Sequence, residues 1–169
     1  MIIFREEALV MKKFRFRLSC LLMAAVLSVS LLTGCSKKEP VSTTDFETAA
    51  IQKGYIVQDG SDFFKDYDYF KLVTLAAPQD KAFQIEFYEL NDEAVAKSFY
   101  DSNKNNFVMM KGDESFETND SGKNYEIYKL ETYGKFMMIE RVDNTVIYIH
   151  STDSSNKQTI EAFLAEIKY

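Results

Sequence analysis

The chain has 169 residues, 46% of them hydrophobic and 27% charged, the composition of a globular rather than a disordered protein. Twenty basic residues against 26 acidic ones give a net charge of −6, which speaks against nucleic acid as a partner. One histidine, two cysteines and no tryptophan narrow the available chemistry further.

The first ten residues make a poor secretion leader, because Glu6 and Glu7 offset Arg5. Met11 is followed by Lys12, Lys13, Arg15 and Arg17, the positively charged start of a signal peptide, so translation is expected to begin there. Residues 18–32 are apolar or small, with Ser19, Ser28 and Ser30 as the strongly polar interruptions. That run suits the ~7–15-residue apolar region of a signal peptide better than the ~20 residues of a spanning helix. The uncharged stretch continues to Ser36, which keeps an uncleaved signal anchor as the alternative.

At the end of the run stands Leu32-Thr33-Gly34-Cys35, which resembles the lipobox of bacterial lipoprotein precursors. The resemblance implies that the Cys35 sulfur carries a diacylglyceryl group and that residues 1–34 are removed as a signal peptide. The domain would then sit on the extracytoplasmic side of the cell membrane, held by two acyl chains. One chain binds reversibly and two anchor stably, at ~0.8 kcal/mol per buried methylene. Cleavage before Cys35 takes 34 residues and Cys20 away and leaves 135, with 15 basic and 24 acidic groups and a net charge of −9. Lipidation uses the Cys35 thiol, so neither a disulfide nor thiol chemistry is expected in the domain. Residues 36–43 are polar and include Pro40, so 35–43 read as the lipidated cysteine and a solvated tether lifting the domain off the bilayer. Residues 44–169 are expected to form a single globular domain.

That domain opens with a helix: Thr44 and Glu47 have capping-box spacing, Phe46, Ala49, Ala50 and Lys53 share a face, and Gly54 supplies the stop. A short strand over 55–58 and a turn over 59–62 lead into the aromatic stretch 63–69. Strands follow at 70–76 and 82–90, joined as an antiparallel hairpin through Pro78. In the second, Phe83, Ile85 and Phe87 alternate with Gln84, Glu86 and Tyr88, which predicts one packed face and one wetter face. Asn91 caps a second helix through Val95 and Phe99 that frays in the asparagine-rich 103–106, and residues 111–123 read as a polar loop. Three strands at 124–131, 135–142 and 145–151 form a meander. A last helix, capped by Ser154 or Ser155, carries the apolar stripe Ile160, Phe163, Leu164 and Ile167.

The expected class is therefore α+β, a mostly antiparallel sheet of hairpins with helices packed on it, in the order α-β-β-β-α-β-β-β-α. The order hints at a duplicated unit, and it resembles the PsbP/Mog1-like arrangement on element order alone.

Chemistry-bearing patterns are sparse. His150 ends an apolar strand, and with no cysteine beside it no zinc site of several Cys or His ligands can be assembled. Its expected role is a strand-end residue, since no nucleophile-elbow motif accompanies it. The acidic pairs Asp59 with Asp62 and Asp66 with Asp68 leave a small extracytoplasmic hydrolase as the alternative function. Residues 117–122 have a glycine at the sixth place of a calcium loop, but Glu117 stands first and Tyr128 twelfth, so the EF-hand pattern fails at both ends. Loose calcium binding by oxygen-rich loops stays open. Met109-Met110 and Met137-Met138 offer thioethers for copper(I), but Met137 and Met138 face opposite sides of one strand and cannot share a site, so core packing is expected of these methionines. No phosphate-binding glycine loop is present, and no cofactor, metal or catalytic residue is assigned.

Phe63, Phe64, Tyr67, Tyr69 and Phe70, interleaved with Asp62, Lys65, Asp66 and Asp68, make the densest aromatic cluster. Exposed, they form a binding patch for a protein, peptide or glycan; folded inward, they are core. The expected patch is Phe63, Phe64, Tyr67 and Tyr69, and the expected function is a non-enzymatic binding or accessory domain anchored to the membrane through Cys35.

Overall fold

The computed structural model describes residues 36–169; the Met11 start, Cys20 and the Leu32-Thr33-Gly34-Cys35 motif lie outside the described residues. The elements are α1 (Thr43–Gln52), β1 (Ile56–Asp59), a 3-10 turn (Ser61–Phe64), β2 (Phe70–Ala77), β3 (Ile85–Leu90), α2 (Glu93–Met109), β4 (Phe116–Ser121), β5 (Tyr125–Thr132), β6 (Lys135–Val142), β7 (Thr145–Ser151), a second 3-10 turn (Ser154–Asn156) and α3 (Lys157–Glu166). All seven strands join one antiparallel sheet in the order β1-β2-β3-β7-β6-β5-β4, so the class is α+β. Among the described residues no helix is long and apolar enough to cross a membrane.

Strand alternation feeds two cores, one on each face. Phe136, Met138 and Val142 of β6 point to the face covered by α1 and α3, where Phe46 stacks on Phe87 at 4.9 Å and meets Phe163 edge-on at 5.9 Å. Met137 and Ile139 point to the other face, which α2 covers with Ala96, Tyr100 and Phe107. Each large apolar side chain buried in this way contributes about 1.5–3 kcal/mol. The chain's last residue belongs to the first core: Tyr169 is buried, with its hydroxyl 2.8 Å from Thr145 Oγ1.

Several expectations are corrected. The face of β3 expected to be wetter is packed at one end, where Tyr88 and Leu90 lie under α2; only its other end, at Gln84, is open. The cap of α1 is Ser42 rather than Thr44, its hydroxyl accepting from the Asp45 N–H at 3.1 Å, while Glu47 accepts from Thr74 of β2. Asp92, not Asn91, caps α2, and that helix runs unbroken through the asparagines to Met109 because Phe107 is buried beyond them. Asp153 caps the turn that leads into α3. The polar loop 111–123 holds a seventh strand, β4, all of whose residues are exposed. It is held by its ladder to β5 and by Glu117, which accepts from the Tyr128 hydroxyl at 2.9 Å and pairs with Lys111. Its charges suit a free sheet edge.

The expected solvated tether is the largest correction. At Lys38 and Val41 it is fastened to the sheet, while Glu39 and Pro40 stay exposed. The Lys38 N–H donates to Asn124 Oδ1 at 3.0 Å, and the Lys38 carbonyl accepts from Asn124 Nδ2 at 2.8 Å. The Lys38 ammonium pairs with Glu140, which is buried on β6, and Val41 packs on the core. On the opposite face the neighbouring Arg141 bonds Glu126 at 3.1 Å, Glu93 at 3.2 Å and the Asp143 carbonyl, tying β5 and β6 to the first turn of α2.

Candidate functional site

The aromatic loop is built from the end of β1. Asp59 accepts from the Ser61 N–H at 2.8 Å, and this bond holds its carboxyl below the usual range. Gly60 donates to the Val73 carbonyl and lies so close to β2 that an added Cβ would stand 3.0 Å from Leu75 and 3.1 Å from Val73. The 3-10 turn then places consecutive side chains on different sides. Phe64 turns inward, 4.7 Å from Phe70 and edge-on to Tyr88 at 5.6 Å, while Phe63 is left 77% exposed. Tyr69 lies half-buried 4.6 Å from Phe70, which meets Phe99 of α2 edge-on at 5.5 Å. Tyr67, 5.6 Å from Tyr69, is 52% exposed.

The four expected patch residues therefore split. Phe64 and Tyr69 fasten the loop to the core, and Phe63 and Tyr67 face solvent. Beneath them Tyr88 donates its hydroxyl to Glu86; burial, reinforced by that carboxylate, pushes its pKa far up and keeps it protonated. A groove of about 500 Å³ runs between Tyr69 and the outer side of α2, lined by Asp92, Ala94, Val95, Ser98, Phe99 and Ser102. Its walls are mainly apolar and its one carboxylate, Asp92, accepts from the Val95 N–H at 2.8 Å. Such a surface suits planar or apolar groups with a few hydroxyls at the rim.

The other predicted positions lie elsewhere. His150 is exposed on β7 and lines a separate hollow of about 380 Å³ with Gln58, Leu75, Lys81 and Gln84, beyond the reach of α2. Asp59 serves its turn, and Asp62, Asp66 and Asp68 are exposed around the aromatic loop. Glu117 and its neighbours form β4 rather than a helix–loop–helix. Met137 and Met138 are buried on opposite faces. Among the described residues no three His, Cys, Asp or Glu side chains are grouped to hold a metal ion.

Sequence reasoning missed the wall that α2 gives the groove, although the spacing of Val95 and Phe99, one turn apart, was the signal for it. Met109 and Met110, expected in the core, are exposed, and sequence reasoning missed the exposed Phe116 and Tyr133, which the elements carry at the sheet end away from Asn124. Fold and loop together define an α+β domain with helices on both sheet faces and a fastened aromatic surface. No family model, no curated protein and no solved structure matches the chain.

Proposed function

We propose that the protein is a membrane-anchored extracytoplasmic lipoprotein, held by an acylated Cys35, whose domain is a non-catalytic binding or accessory module. The Leu32-Thr33-Gly34-Cys35 motif supports the anchor. The observation that carries the binding role is the loop itself: Phe63 and Tyr67 point outward while Phe64, Tyr69 and Phe70 hold their backbone in place. An aromatic contact that is already ordered loses little conformational freedom on binding, so it is an efficient recognition surface.

Two measurements test this reading. Cys35→Ser is expected to block incorporation of labelled acyl chains and release the protein from membranes; continued labelling overturns the anchor. The double variant Phe63→Ser, Tyr67→Ser is expected to change stability by about 1 kcal/mol or less, since Phe63 is exposed and Tyr67 half exposed, while losing the partners that copurify with the tagged, membrane-anchored protein. Full recovery of the same partners would remove the loop from the binding role.

A further inference from the structure

We infer that the sheet end carrying Tyr67 is the membrane-facing surface of the domain and that the partner it fits is the lipid bilayer. This rests on the anchor at Cys35 proposed above and concerns which end of the sheet faces the bilayer, not the copurifying partners of the aromatic loop.

The first argument is where the chain meets the sheet. Lys38 is fixed by both backbone groups to Asn124 and by its ammonium to buried Glu140. Only Ser36 and Lys37 stand between it and Cys35. Three residue steps span at most roughly 11 Å even when fully extended. An anchor at Cys35 therefore has no slack to lift the domain, and the Asn124 corner stays at headgroup level.

The second argument is what shares that end of the sheet. Asp143 donates to the Asn124 carbonyl at 2.9 Å, Leu90 to the Asn144 carbonyl at 2.9 Å, and Asn91 to the Tyr69 carbonyl at 3.1 Å. These bonds link the start of β5, the β6–β7 turn, the end of β3 and the aromatic loop into one row. From β5 to β2 the row crosses four inter-strand gaps, roughly 19 Å at the usual ~4.8 Å spacing. A bilayer that touches the Asn124 corner is thus within reach of Tyr67.

Chemistry selects this end over the others. Tyr67 combines an apolar ring with a hydroxyl, which suits the boundary between headgroups and acyl chains. Phe116 and Tyr133 lie at the opposite end of the strands and face away from such a membrane. Asp66, Asp68 and Asp143 around the row repel anionic headgroups, so the contact is expected with zwitterionic rather than anionic lipid. It can be weak and still fix orientation, because the anchor makes it intramolecular.

The chain contains no tryptophan, so a single introduced one reports its own surroundings. Lipidated Tyr67→Trp and Tyr133→Trp proteins, purified from membranes, are placed in phosphatidylcholine vesicles containing brominated acyl chains. Tyr67→Trp should be quenched about twofold or more relative to Tyr133→Trp, with a blue-shifted emission, as expected for an interfacial aromatic. Equal quenching, or stronger quenching at position 133, overturns the inference. Intact mass at Cys35 separates the two readings: acylated protein without preferential quenching removes the membrane-facing surface alone, and unacylated protein removes the anchor on which it rests.

Discussion

Replacing Lys38 by Met is expected to destabilise the domain by about 2–3 kcal/mol near neutral pH, below the ~3–5 kcal/mol of a fully buried broken pair because a quarter of the Lys38 side chain meets water. The loss arises at Glu140, whose side chain is 2% exposed and would keep its charge without a counter-ion. Burial raises the Glu140 pKa above its ordinary value, and Lys38 is the main influence pulling it back down. A carboxyl whose pKa rises on folding contributes its full stability below the unfolded pKa and loses it as pH climbs through the folded one. Removing Lys38 moves the folded pKa higher still, so the difference between variant and wild type should be small at about pH 4 and largest at about pH 8. Urea unfolding across that range measures it, with Glu140→Gln as the control in which the pH dependence disappears. A difference that stays constant with pH would show that Lys38 stabilises through something other than the Glu140 charge.

That ion pair also explains why the fastening of the tether was not legible in the sequence. Lys38 and Glu140 are 102 residues apart, and nothing local ties them together. Ser-Lys-Lys-Glu-Pro has the composition of a linker. That description fails because long-range charge pairing lets two adjacent residues of β6 point a carboxylate and a guanidinium into opposite faces of the sheet, and the carboxylate holds Lys38. The hairpins were legible because alternating or apolar runs are separated by turn residues, as at Asp143-Asn144, where Asp143 takes a positive φ of 49°. Strand β4 was not, since Phe-Glu-Thr-Asn-Asp-Ser buries nothing and owes its form to its ladder with β5 and to the contacts of Glu117 with Tyr128 and Lys111.

At the aromatic loop, composition was informative and orientation was not. Five aromatic residues in eight positions mark a cluster, but which of them turn inward depends on a 3-10 turn that separates Phe63 from its neighbour Phe64. Its sidedness is set by Gly60 fitting against Leu75 and by the rings of Phe70, Tyr88 and Phe99, contributed by β2, β3 and α2. The aromatic surface is thus a product of the sheet's edge and the second helix together. Local sequence carries only one of its parts.

The second large effect is expected from Phe107→Ala, at about 3–5 kcal/mol, the usual cost of emptying a fully buried phenylalanine site. Phe107 is the large buried side chain in the C-terminal half of α2, stacked on Tyr148 with ring centres 5.2 Å apart. The residues before it include Asn103, Asn105 and Asn106, each of them roughly 0.7 kcal/mol poorer in a helix than alanine. Propensity alone would let this segment fray, and the Phe107 ring holds it on the sheet. The loss should therefore appear in two ways: a lower unfolding midpoint, and amide exchange that speeds up over residues 103–110 more than over the first turns of α2, where Asp92 and the Glu93–Arg141 pair remain. Val108→Ala, one residue on and 42% exposed, should stay within about 0.5 kcal/mol of wild type. Uniform loss of protection along α2 would show that the helix opens as one unit, and that Phe107 does not act as the local clamp for its asparagine-rich half.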